Sequence, residues 1–330
     1  SERSIYGFFW ISNERIAYVQ DKGGDENFRI YAVNIDGTNE VNLTPFDNVQ
    51  SQIIDDLEDN PDYMIVGLNI RNPQIHDAYR LNVNSGELTM LAENPGNISS
   101  WMTDNNGVLR IATTSDGINT SILYREDETK EFTSILTTNF KESVSPLFFA
   151  FDNNELYVSS NRGRDKSAIY TFDLDKAQED KLIFEHPEVD VYSLMRSKKR
   201  KVITGVAYTT DKTHRVFFDK ERESLQKKIE QKLPNIDVAI SSFNKDETKA
   251  VVVAYSDKSR GTYYYYDIKE DRLTKLADLS PWLNEENMAS MLPISYQSRD
   301  GLTINGYLTL PVGSSGKNLP VVVNPHGVPW

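Results

Sequence analysis

The chain has 330 residues, 38% hydrophobic and 26% charged, with a formal charge of −13. This composition describes a globular protein and argues against a nucleic-acid partner or an anionic membrane surface, both of which call for a basic face. The absence of cysteine excludes disulfides, thiol nucleophiles and thiolate metal sites. No apolar run reaches the ~18 residues of a spanning helix, and Ser1–Tyr6 has no apolar signal core. The compartment, cytoplasm or periplasm, stays open, as does a leader upstream of this stretch.

In chain order, one unit recurs: an apolar strand, a polar turn, a second strand rich in Tyr or Phe, an acidic or Asn-bearing turn, and a third apolar strand. Ile16–Val19 with Phe28–Ile35 starts the series, followed by Tyr63–Leu68 with Ala78–Val83 and Val108–Thr113 with Ser121–Tyr124. Leu156–Ser159 with Ala168–Leu174, Val202–Tyr208 with Arg215–Phe218, and Ala250–Tyr255 with Thr262–Ile268 complete it. The residues closing the second strand, Asn34, Asn82, Tyr124, Asp173, Asp219 and Asp267, lie 42–49 positions apart. A strand-only period of that length points to β-propeller blades, because a lone four-stranded sheet cannot bury both faces but neighbouring ones can. The fold class expected is therefore all-β, a propeller with six visible blades.

Two local features stand out within the repeat. Lys220–Leu233 has Leu225, Ile229 and Leu233 at four-residue spacing and is followed by Pro234, so it reads as a helix inserted after the second strand of the fifth unit, on the rim for packing. The run Tyr263–Tyr266 is read as alternate rings packing on neighbouring blades rather than as a binding strip. After the last unit, Ile294–Gln297, Arg299-Asp300-Gly301 and Leu302–Leu310 predict a hairpin, since Asp-Gly between apolar runs favours a tight turn. Pro320–Val323 reads as a short buried strand that ends in Asn324-Pro325-His326-Gly327.

Repeat and ending together resemble the prolyl oligopeptidase family, closest to its acylaminoacyl-peptidase and dipeptidyl-peptidase-like bacterial members. The likeness is carried by Gly23-Gly24-Asp25-Glu26-Asn27-Phe28-Arg29-Ile30-Tyr31, by Ser160-Asn161-Arg162-Gly163-Arg164-Asp165 and by the inserted helix ending in Lys232-Leu233-Pro234. Pro281-Trp282-Leu283, the Arg-Asp-Gly hairpin running to Gly306-Tyr307-Leu308-Thr309-Leu310-Pro311, and the His-Gly-x-Pro-Trp ending complete it. The resemblance implies a propeller of seven or eight blades, seven being expected in the intact protein, that caps an α/β-hydrolase domain. It divides this chain into a propeller, 1–283, and the first strands of a truncated hydrolase domain, 284–330. It also implies that the catalytic Ser, Asp and His lie C-terminal to the His-Gly turn, so no catalytic residue is expected in this chain. His76, His186, His214 and His326 are accordingly not the base. Gly313-Ser314-Ser315-Gly316 lacks the Gly-x-Ser-x-Gly spacing of a nucleophile elbow.

What the resemblance leaves here is an oxyanion-hole loop, His326, Gly327 and Val328. The family pattern has a second Gly where this chain has Val328. A backbone N–H survives that change, although a β-branched residue tolerates positive φ poorly. Arg162 and Arg164 are candidates for gripping a substrate carboxylate, with a local ion pair beside Asp165 as the favoured reading. Asp25-Glu26 could meet a substrate amino terminus, with a plain hairpin loop favoured. Asp55-Asp56-Leu57-Glu58-Asp59 lacks calcium-loop spacing, and no metal site or cofactor is expected. The function expected of the parent is hydrolysis of oligopeptides through an acyl-enzyme, with the propeller gating access. The partners expected are the peptide substrate and the remaining hydrolase domain, and a homo-oligomer stays open. A non-catalytic propeller that binds a protein, or a hydrolase of non-peptide esters, stands as the alternative.

Overall fold

The unit read as three strands belongs to a four-stranded antiparallel meander, with one three-stranded exception, in the computed structural model, which describes residues 3–325. The first sheet is β1 (Gly7–Trp10), β2 (Arg15–Gln20), β3 (Arg29–Asn34) and β4 (Val41–Asn42). The second is β5 (Ser51–Asp55), β6 (Tyr63–Asn72), β7 (Ile75–Asn82) and β8 (Leu88–Ala92). The third is β9 (Ile98–Thr103), β10 (Leu109–Ser115), β11 (Asn119–Tyr124) and β12 (Thr133–Asn139). The fourth is β13 (Val144–Phe149), β14 (Glu155–Ser160), β15 (Ala168–Asp173) and β16 (Gln178–Phe184). The fifth has three strands, β17 (Ser193–Ser197), β18 (Val202–Thr209) and β19 (Thr213–Phe217), and α1 (Lys220–Lys232) follows. The sixth is β20 (Asp237–Phe243), β21 (Lys249–Ser256), β22 (Ser259–Asp267) and β23 (Arg272–Asp278). A separate two-stranded sheet, β24 (Met291–Gln297) with β25 (Thr303–Thr309), ends the series. The fold class is that of a six-bladed β-propeller.

The chain divides into two compact units, Ser1–Ser193 and Leu194–Trp330. In the first, alternation along the middle strands builds the core. Ala17, Val19, Ile30 and Ala32 of the first sheet pack with Met64, Val66, Leu68 and Leu81 of the second. Ile111 and Ile122 of the third pack with Phe149, Leu156, Val158 and Phe172 of the fourth. Full burial of one such side chain stabilises the fold by about 1.5–3 kcal/mol. The period seen in the sequence returns as contacts between successive sheets. Asp55 accepts from the Thr103 hydroxyl, Arg80 pairs with Glu128 at 2.8 Å, and the Asn105 N–H donates to Asn153 Oδ1 at 2.9 Å, each across 48 positions.

In the second unit, α1 occupies the chain position where the other sheets have a fourth strand. Asp219 caps it, accepting from the Arg222 N–H at 3.2 Å. Glu221 and Glu223 sit in its first turn and Lys232 in its last, as the helix dipole favours. Its apolar stripe, Leu225, Ile229 and Leu233, packs on Val238, Ala250, Val252 and Tyr266 of the sixth sheet. Arg222 reaches Glu247 at 2.8 Å and covers the Phe243 ring at 3.9 Å. Arg200 joins the same carboxylate network through Asp219 and Glu221. Insertion and packing role are therefore as the sequence predicts. In the Tyr263–Tyr266 run, Tyr264 and Tyr266 turn into this core, and the Tyr266 hydroxyl bonds to Asp271. Burial, followed by that carboxylate, raises its pKa.

Candidate functional site

The predicted hairpin forms, with its first strand starting three residues earlier than the sequence suggested. Its turn is closed by Ser298, whose N–H donates to Leu302 O at 2.8 Å, and by Gly301 at φ 87°, a conformation glycine adopts without strain. The hairpin rests on turns between the second and third strands of two blades. The Tyr307 hydroxyl donates to Asp211 O at 2.5 Å in the fifth sheet. The Met291 N–H donates to Asp257 Oδ2 at 2.8 Å in the sixth. Met291, Leu292, Ile294, Tyr296, Leu302, Ile304, Tyr307 and Leu308 are all exposed, so both hairpin faces carry uncovered apolar side chains.

The buried strand predicted at Pro320–Val323 is not found. These residues form no strand, and Val321, Val322 and Val323 are 82%, 91% and 82% exposed. An apolar run becomes a buried strand only beside a sheet that can pair with its backbone, and no described residues supply one here. His326, Gly327 and Val328 lie outside the described residues.

Arg162 and Arg164 occupy the corresponding second-to-third-strand turn of the fourth sheet. The turn is built by Asn161, which accepts from the Ser143 N–H at 2.6 Å, and by Gly163 at φ 65°, whose N–H donates to Glu142 Oε1 at 3.0 Å. Arg164 is held by the Tyr170 hydroxyl at 2.6 Å and by Glu185, whose hydrogen bond raises its pKa. Arg162 approaches Glu179 at 3.9 Å and stays more open. The expected partner Asp165 instead meets Lys166 at 3.2 Å. Both arginines thus pair locally, with partners a sheet-length away rather than beside them in sequence.

Asp25 sits in the matching turn of the first sheet, accepting from the Lys22 and Asn27 N–H groups at 3.1 Å each and from Arg29 at 3.1 Å. Burial opposes its charge, yet the hydrogen bonds from Arg29, Lys22 and Asn27 hold its carboxyl below the usual range. This is a hairpin loop with its donors satisfied from within. In the acidic run, Asp55 is spent on the Leu57 N–H at 2.9 Å and on Thr103. Among the described residues no group of three or more His, Asp or Glu is arranged to hold a metal. His214 lies 3.4 Å from Asp211 and stacks on Tyr208.

One cleft escaped the sequence reading. It opens in the first unit between the second and third sheets, with a volume of about 300 Å³, and involves Gln52, His76, Ser100 and Trp101. No linear motif announces it, because its walls come from two blades.

No family model matches the chain. Across 99% of its length it is 29% identical to dipeptidyl aminopeptidase BIII of Pseudoxanthomonas mexicana, of which it covers 49%. By fold it is similar to a structure from a study of two prolyl endopeptidases, with a TM-score of 0.65 at 12% identity, covering 94% of this chain and 47% of that one. It is also similar to puromycin hydrolase, with a TM-score of 0.59 at 12% identity, covering 89% and 48%. The chain is similar, in sequence and in fold, to the propeller portion of prolyl oligopeptidase-type peptidases. It spans about half the length of the relatives it matches.

Proposed function

We propose that the parent protein is a serine peptidase that hydrolyses oligopeptides, of acylaminoacyl or dipeptidyl type, through an acyl-enzyme. Residues 1–283 act as the propeller that controls access, and 284–330 begin the hydrolase domain. The observation that carries this reading is the sequence likeness to a dipeptidyl aminopeptidase along the entire propeller and on into the hairpin. The uncovered apolar faces of β24 and β25 fit strands that continue into a larger sheet, because exposed apolar sheet faces are otherwise rare.

In this reading the loop of His326, Gly327 and Val328 supplies one backbone N–H to the tetrahedral oxyanion, an interaction whose loss typically costs about 3 kcal/mol of transition-state stabilisation. Arg162, the more open of the two turn arginines, offers donors to a substrate carboxylate. The deciding experiment is turnover by the intact parent on aminoacyl, dipeptidyl and N-acyl-peptide substrates beside simple esters, with and without a serine-directed phosphonylating inhibitor. Inhibitor-sensitive cleavage of the peptides is expected. Ester cleavage alone, or no hydrolysis, would overturn the reading.

A further inference from the structure

We infer that the cleft between the second and third sheets is a docking site for an extended, uncharged segment of the peptide substrate. The choice of a peptide as ligand rests on the peptidase reading; the chemistry of the cleft stands apart from it. In a chain that is 26% charged, none of the twelve residues lining this cleft carries a formal charge. A charged ligand would be desolvated there without a counter-charge, so the cleft selects against one.

The hydrogen-bonding groups are of the amide, hydroxyl and imidazole kind. Gln52 and Ser100 are exposed at the mouth. His76 Nε2 is buried and has no hydrogen-bond partner, which leaves a polar demand unmet at the wall. The carboxylate next to His76 in the chain does not serve the cleft. Asp77 is fully buried and committed to Arg71, at 3.0 Å to each oxygen, and to the Asn94 N–H at 2.7 Å. Burial also keeps the pKa of His76 below its usual value, against the pull of Asp77, so the wall stays neutral near pH 7.

The walls are fixed in advance. Asn94 accepts from the N–H groups of Gly96 at 2.9 Å and Ile98 at 3.0 Å and donates to Ile98 O at 2.9 Å. Trp101 is braced against Phe132, ring centroids 5.8 Å apart. Pre-formed walls spare a ligand the entropy of ordering them.

The two flanking strands decide for a peptide. β5 and β9 are edge strands of their sheets, paired on one side with β6 and β10, and the far side of β5 is engaged at Ser51, whose N–H donates to Phe28 O at 2.8 Å. An extended peptide can add main-chain hydrogen bonds to such an edge while its side chains enter the pocket between. The volume, about 300 Å³, is at the small end of ligand sites and suits small side chains.

The test is calorimetric titration of this chain with acetyl-Gly-Ala-Ala-Gly-amide and with its acetyl-Gly-Asp-Asp-Gly-amide counterpart. The variants are Ser100→Arg, which puts a charge in the mouth from an exposed position, Gln52→Glu, which adds charge at constant shape, and the remote control Ser85→Arg. Thermal melts establish that each variant folds. The expected result is binding of the neutral peptide, at least about tenfold weaker in Ser100→Arg and Gln52→Glu and unchanged in Ser85→Arg, with the acidic peptide bound more weakly throughout. No binding of the neutral peptide, preference for the acidic one, or indifference to both cleft variants overturns the inference. In the intact parent, Ser100→Arg should raise KM for long peptides and leave short dipeptidyl substrates unaffected. A parent that cleaves peptides with KM untouched by Ser100→Arg keeps the peptidase reading and ends this one. A parent that cleaves none ends the peptidase reading while the titration still decides the cleft.

Discussion

Replacing Ile229 by alanine tests whether α1 is held by the sixth sheet or merely lies near it. Ile229 is fully buried among Val238, Ala250, Val252, Ala254 and Tyr266. The change removes three carbon atoms, about 2.4 kcal/mol of transfer free energy at ~0.8 kcal/mol each. A residual cavity of roughly 50 Å³, at ~24 cal/mol per Å³, adds about 1 kcal/mol. Alanine's better helix propensity recovers only about 0.4 kcal/mol. The net expectation is a loss of about 3 kcal/mol in urea unfolding followed by circular dichroism. The exposed neighbour change Lys228→Ala should stay within about 0.5 kcal/mol. A loss below ~1 kcal/mol for Ile229→Ala would mean that the helix does not depend on this contact, and that its four-residue apolar spacing was misjudged.

Three further outcomes are expected. Gly205→Ala places a Cβ 2.3 Å from Val216 O and 3.1 Å from Phe217 Cα, both backbone atoms, so the fifth sheet must shift; a destabilisation of about 3 kcal/mol in chemical denaturation is the outcome to look for. Burial disfavours the charged form of His76 and holds its pKa below the ordinary histidine value. The unfolded chain therefore binds the proton first, and stability falls as pH drops from the ordinary histidine value toward the lowered one. His76→Gln should flatten that part of a stability-versus-pH curve, and an unchanged slope would refute the assignment. Val322→Asn should leave the melting curve unchanged, because its side chain is 91% exposed; a clear loss of stability would restore the buried-strand expectation.

The strands legible in the sequence were those packed on two sides. β2 and β3 alternate because Ala17, Val19, Ile30 and Ala32 face one core and their neighbours do not. The outer strands were missed because pairing on one edge constrains composition little: Gln178–Phe184 is mostly charged or half-exposed yet pairs with β15 across two register shifts. Pro320–Val323 failed for the converse reason, since hydrophobicity signals burial only when a partner surface is at hand. The turn arginines were found from their types, but their acids Glu179 and Glu185 come from β16 and the loop after it, where no spacing rule reaches. The cleft was invisible for the same reason: Gln52 and Trp101 meet only after two repeats have folded.

The ties between Asp55 and Thr103, Arg80 and Glu128, and Asn105 and Asn153 all span 48 positions. A residue gained or lost between two such anchors must be absorbed inside that interval, or a bond one blade away is mismatched. Growth by insertion is therefore cheapest where a blade's outer edge carries no such rivet. The helix after β19 is accommodated differently, because it carries the tie itself: Arg222 reaches Glu247 at 2.8 Å, beside the Ser197 hydroxyl that donates to the same carboxylate at 2.6 Å from 50 positions away.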